Sequence, residues 1–105
     1  MGARRVADSF DSLVVALCAD YERRERLIEE GGLTPRVEME YRYFNHKIYN
    51  AAAEIVGADE ALLYINDIGA RRGYAHSPVE DISDTTYKRR KAAVFDSIAT
   101  SLYLA

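Results

Sequence analysis

The apolar residues of this chain recur at steps of three and four inside segments bounded by glycine and proline, a spacing that belongs to the α-helix. Phe10, Leu13, Val14, Leu17, Tyr21 and Ile28 form one series, and Val37, Tyr41, Phe44, Ile48, Ala51 and Ile55 a second. Leu62, Ile65 and Ile68 make a shorter third. Tyr87, Val94, Phe95, Ile98 and Leu102 make a fourth. No segment alternates apolar and polar residues with β-branched enrichment, and no Asn-Gly or Asp-Gly turn occurs. The expectation is an all-α domain, a compact bundle of about four helices at about 8–30, 34–56, 59–69 and 83–103.

Local signals mark the helix ends. Asp8 and Ser9 can cap the first helix, and Gly31-Gly32 stops it. Its second half, Tyr21 to Glu30, is nearly all charged, with Glu22, Arg26 and Glu30 at supporting steps of four. Thr34 is an N-cap and Pro35 a first helical residue, while Gly57 ends that helix. Tyr43, Tyr49 and Val56 widen its apolar arc, which makes it the central helix. Ala51-Ala52-Ala53 suggests a close crossing with a neighbour. Phe44, Ile48, Ile55, Ile65 and Ile98 are the expected core. Arg71 to His76 reads as a loop. Ser77-Pro78-Val79-Glu80 reads as a capping box that opens one short helical turn over 77–82, after which Ser83 caps the last helix.

With 105 residues and 11.9 kDa, the chain makes one domain, 1–105. Folding buries about two-thirds of roughly 17,000 Å² of unfolded surface and leaves roughly 6,000 Å². Hydrophobic residues at 49% and charged ones at 30% exclude a largely disordered chain. The lone cysteine, Cys18, excludes an intramolecular disulfide and a multi-cysteine metal site, and it fits a reducing, cytoplasmic setting. No apolar run approaches the roughly 18–20 residues of a membrane span. Neither a secretory signal nor a myristoylation motif follows Met1.

Catalytic chemistry finds little support. His46 and His76 lie far apart, and neither sits in a His-Glu-x-x-His pattern. His46 could be a ligand or a base, but reads first as a partly exposed helix residue, and His76 as a loop residue beside a cap. Cys18 reads as a small buried hydrophobe. No nucleophile elbow, phosphate loop or dinucleotide fingerprint is present. Asp59-Glu60 is explained by a helix start. The expectation is no enzyme, no metal and no cofactor.

Charge is distributed unevenly. Residues 1–60 hold 8 Lys/Arg against 12 Asp/Glu, and residues 61–105 hold 6 against 5. The excess of cations in the second part comes from an unbroken run, Lys88-Arg89-Arg90-Lys91, just after Ser83, Thr85 and Thr86 at a helix start. A helix entering the major groove of double-stranded DNA uses small polar residues for base edges and cations for phosphates. Four consecutive cations also go right round a helix, so part of the run serves only to solvate its outer face.

The stretch from Ile82 to Lys91, followed by Ala92-Ala93-Val94 and Ile98-Ala99, resembles the last helix of phage-type, sigma-factor-like helix-turn-helix regulators, the ArpU-like and RinA-like groups. The resemblance covers residues 82–99. It implies a DNA-binding, transcription-associated protein of bacterial or prophage origin. Base reading would fall to Ser83, Thr85, Thr86 and Arg89, and phosphate contacts to Lys88, Arg90 and Lys91. The family's scaffold helix has two full turns and a turn glycine, and Ser77 to Ile82 is shorter and has none.

A second reading, from another class, is a protein–protein interaction module that forms a homodimer. It rests on the arc Tyr41, Tyr43, Phe44 and Tyr49 and on eight tyrosines in all, because tyrosine is enriched at interfaces. The plainer account of those tyrosines is core and core rim.

Overall fold

A computed structural model describes the backbone of residues 2–103 and the side chains of residues 11–102. Helices α1 (Gly2–Ala19), α2 (Tyr21–Glu30), α3 (Pro35–Val56), α4 (Ala58–Gly69) and α5 (Asp84–Tyr103) follow in order, with a 3-10 turn at Tyr74–His76 between the last two. There is no strand among the described residues. The fold is the all-α bundle that the spacing implies, and no helix among the described residues is long and apolar enough to cross a membrane. Helix α3 is central. It packs against α5, α4 and α2, while α1 lies on α4 and α5.

The expected first helix is in fact two. Asp20, at φ −96° and ψ 2°, leaves the helical path, so the apolar half goes to α4 and the charged half to α3. Close approach accompanies the bend: a Cβ built on Gly69 of α4 would lie 2.6 Å from the Ala19 nitrogen. Only glycine permits that contact. Helix α1 also begins at Gly2, earlier than the expected position near 8. The proposed Asp8 and Ser9 caps and the Phe10 side chain lie outside the described side chains.

The signals around α3 act as read. The Val37 amide donates to Thr34 Oγ1 at 3.3 Å, and Pro35 occupies the first turn. Gly57, at φ 86°, ends α3 and leads directly into α4, a conformation that glycine alone adopts without strain. Val14, Ile48, Ala52, Ile65, Val94 and Ile98 are fully buried. The small residues at 51 and 52 admit α5, whose Ser97 hydroxyl donates to the Ala51 carbonyl at 3.0 Å.

Several core expectations fail. Ile55 is 43% exposed. It shares the meridian of Ile48 but lies in the last turn of α3, where small Ala93 and Ser97 of α5 face it across an open groove. Phe44 is only half-buried. Leu13 and Leu62 are also exposed, and the inner stripe of α4 is Ala61, Tyr64, Ile65 and Ile68.

The helical turn expected over 77–82 does not form. Ser77 Oγ accepts from the Val79 amide at 3.1 Å, two residues on, and its hydroxyl donates to the buried Asp67 carboxylate. With Ser77 held there and Val79 buried, the segment runs over the core without the helical turn a capping box would start. The preceding 3-10 turn occupies part of the expected loop. No two-turn helix forms between α4 and α5.

Candidate functional site

The start of α5 carries the sequence-derived DNA candidates. Ser83 is its cap: Oγ accepts from the Thr86 amide at 3.1 Å and donates to Thr86 Oγ1 at 3.0 Å. Both hydroxyls are therefore engaged in holding the helix end. Thr85 is exposed.

The four cations fan out around the helix. Lys88 pairs with Asp84 at 3.2 Å, and Arg90 reaches Glu60 of α4 at 3.7 Å. Lys91 donates from Nζ to the Arg72 carbonyl at 2.6 Å. Arg89 is exposed and has no ion pair among the described residues. Glu80, Asp81 and Asp84, all exposed, stand beside this helix start, so it presents both signs of charge.

Lys91 belongs to a network that anchors the connection from α4 to α5. Asp67, wholly buried, accepts from Arg72 Nε at 2.9 Å and from the Tyr87 hydroxyl at 2.7 Å, besides Ser77. The Tyr87 ring stacks on Tyr64, with centroids 5.6 Å apart, and Tyr74 tilts against it at 5.7 Å. Burial, reinforced by the Asp67 hydrogen bond, pushes the Tyr87 phenol up to about 12. Asp67, Arg72, Ser77, Tyr87 and Lys91 all have structural partners here, so the cluster reads as a lock on the connection.

A second lock sits at the bend between α1 and α2. Arg24, 3% exposed, donates from Nε to Asn45 Oδ1 at 2.7 Å and from Nη2 to the Leu17 carbonyl, which the bend frees from the helix ladder. Asn45 in turn donates to the Tyr21 carbonyl at 3.1 Å. Burial lowers the Arg24 pKa, and the Asp20 carboxylate opposes that shift.

Beside this lock a groove of about 690 Å³ opens between α2 and α3. Tyr21, Tyr43, Tyr49 and Met39 supply its aromatic and thioether walls, and Glu25, Arg42 and His46 its polar rim. Arg42 is held by Glu38 at 3.2 Å. His46 Nε2 lies 2.9 Å from Asn50 Nδ2. Burial raises the Tyr21 phenol to about 12, with Glu25 and Tyr49 adding to the rise. Met39 is 67% and Tyr43 51% exposed.

No three His, Cys, Asp or Glu side chains converge as a metal site among the described residues. Cys18 is buried in the core, and burial raises its thiol to about 12 against the opposing charge of Arg24. Sequence reasoning singled out the groove's tyrosines but missed Glu25, Arg24, Asn45 and Asp67. Asn45 had a usable signal, a polar residue within the apolar arc of α3. Arg24 had none inside its charged run.

Together these features define a small all-α domain with two polar locks and an aromatic groove. Compared with known protein families, curated proteins and solved structures, the chain matches none.

Proposed function

We propose that this domain is a protein–protein interaction module that docks its partner on the α2–α3 face. The observation that carries the reading is the pair Met39 and Tyr43, large and exposed at the lip of an aromatic groove. A second copy of the chain could use the same patch on both sides of a twofold axis, and sedimentation across a concentration series reports whether it does. The buried, unpaired Cys18 suits a cytoplasmic setting.

Selection of displayed peptides against the immobilised domain tests the module. Enriched peptides should lose binding to a Met39→Lys, Tyr43→Glu variant that keeps its helical circular dichroism. Failure to enrich any peptide, or equal binding by the variant, removes the reading.

DNA binding by α5 is the second reading, favoured by Thr85, Lys88 and Arg89 at solvent and by the likeness to phage-type regulators. Because Arg90 and Lys91 hold Glu60 and the Arg72 carbonyl, the clean test is Lys88→Glu with Arg89→Glu. Two phosphate contacts imply a slope of log affinity against log salt of about −2. A duplex left unshifted at low salt, or shifted equally by the variant, excludes this role.

A further inference from the structure

We infer that the partner of the α2–α3 face is a peptide segment that places a lysine ammonium group in the tyrosine groove and an apolar side chain in the recess next to it. The inference rests on the interaction-module reading and names the chemistry of the partner.

The groove's charge balance points to a cation. Of its charged lining groups, Arg42 is neutralised by Glu38 at 3.2 Å. Glu25 has no ion pair among the described residues. An anionic ligand would meet that carboxylate, and the nearby cation without an ion pair among the described residues, Lys47, already lies over the Tyr43 ring. A neutral ligand would leave the carboxylate without a counter-ion, with only the Tyr21 phenol against it.

The walls also suit an ammonium on an alkyl stem. Tyrosine rings attract cations through their negative faces, and this face already shows the effect at its edges. The Lys47 ammonium lies 5.5 Å from the Tyr43 centroid, and the Arg23 guanidinium 5.8 Å from that of Tyr41. Met39 and the rings of Tyr21 and Tyr49 can pack the methylenes of a lysine stem.

The partner extends beyond one side chain because the groove does not end at Tyr43. Met39 and Tyr43 form a ridge shared with a second recess of about 610 Å³, where Phe44 supplies apolar surface between Arg36 and Glu40. Those two flanking charges pair with each other at 3.5 Å, so the second recess asks for an apolar group. A lysine on one side of the ridge and an apolar residue on the other use both. The chain's net charge of −3 favours the approach of a basic segment.

The test is titration of the full chain, followed by tyrosine fluorescence and NMR, with a short peptide that pairs lysine and a nearby leucine. Control peptides replace the lysine by norleucine or the leucine by serine, and one arm carries trimethyllysine. Saturable binding should weaken with either control. It should weaken about two- to fivefold in Tyr43→Ala, the loss expected of an exposed cation–aromatic contact, and should lose most of its salt dependence in Glu25→Gln. Both positions are exposed, so both variants should fold. Tighter binding of the trimethyllysine peptide assigns a methylated side chain, and equal or weaker binding a plain lysine. Binding that survives norleucine, or is unchanged in both variants, overturns the inference. If displayed peptides without lysine still require Met39 and Tyr43, the module stands and only the assigned partner chemistry falls.

Discussion

Replacing Arg24 with alanine should be among the most damaging single changes in this domain. The substitution removes hydrogen bonds from a charged donor to Asn45 Oδ1, which is buried, and to the Leu17 carbonyl, which is partly buried. Hydrogen bonds to charged groups contribute about 1.5–3 kcal/mol each, and a buried acceptor left alone costs a further 1–3 or so. Relief of the guanidinium's desolvation offsets part of this sum, leaving a loss of about 3–5 kcal/mol. With an unfolding entropy of about 0.2 kcal/mol per kelvin for a domain of this length, Tm should fall by about 14–23 °C. Urea denaturation followed by circular dichroism measures the loss. Arg24→Lys should fall between wild type and alanine, because an ammonium cannot reach both acceptors with a planar fork. In a cycle with Asn45→Ala, the double variant should be less destabilised than the sum of the singles by about 1 kcal/mol or more. A loss below about 0.5 kcal/mol in Arg24→Ala, the range of ordinary surface changes, or strict additivity in the cycle, would refute the lock.

Gly69→Ala should destabilise by about 1–3 kcal/mol or more in the same assay, since its Cβ would meet the Ala19 backbone at 2.6 Å and no flexible side chain can yield there. Ile48→Ala should cost about 2–5 kcal/mol through lost burial and a cavity, whereas Ile55→Ala, at a residue 43% exposed, should cost under about 1 kcal/mol. Calorimetry of the pair separates the two. The pH profile should be limited on the alkaline side. Burial raises the Cys18 thiol from 9.0, and the Tyr21 and Tyr87 phenols from 10.0, to about 12. The folded chain therefore keeps protons that the unfolded chain releases, and stability should decline between about pH 9 and 12. Thiol labelling of Cys18 should appear with unfolding and not before it. On the acid side, Asp20, held low mainly by its hydrogen bond from Arg23, contributes stability that is present above 3.8 and lost as pH falls through its folded value.

The groove is half legible in the sequence. Tyr43 and Tyr49 stand in the widened arc of α3, and the surplus of aromatic residues there is plain from their spacing alone. Glu25 is not, because α2 carries four carboxylates in Tyr21 to Glu30 and only the packing of α2 on α3 shows which one lines the groove. The basic run is only partly legible for a related reason. Consecutive residues on a helix point about 100° apart, so Lys88 to Lys91 cannot act as one surface. Glu60 and the Arg72 carbonyl, brought in by α4 and its connection, take two of the four.

Sequence alone determined the helical class and the stops and starts around α3, because those depend on interactions within a few residues: Thr34 with Val37, Pro35 in the first turn, Gly57 at positive φ. Tertiary structure decided what competes with local preference. The bend at Asp20 breaks a helix that local spacing would continue, and Arg24 satisfies the Leu17 carbonyl that it frees. The capping box at Ser77 gives way because Asp67, ten residues back, binds the same hydroxyl in the core. Buried polar groups must find partners wherever the fold brings them, and a reading confined to neighbours along the chain has no access to that distance.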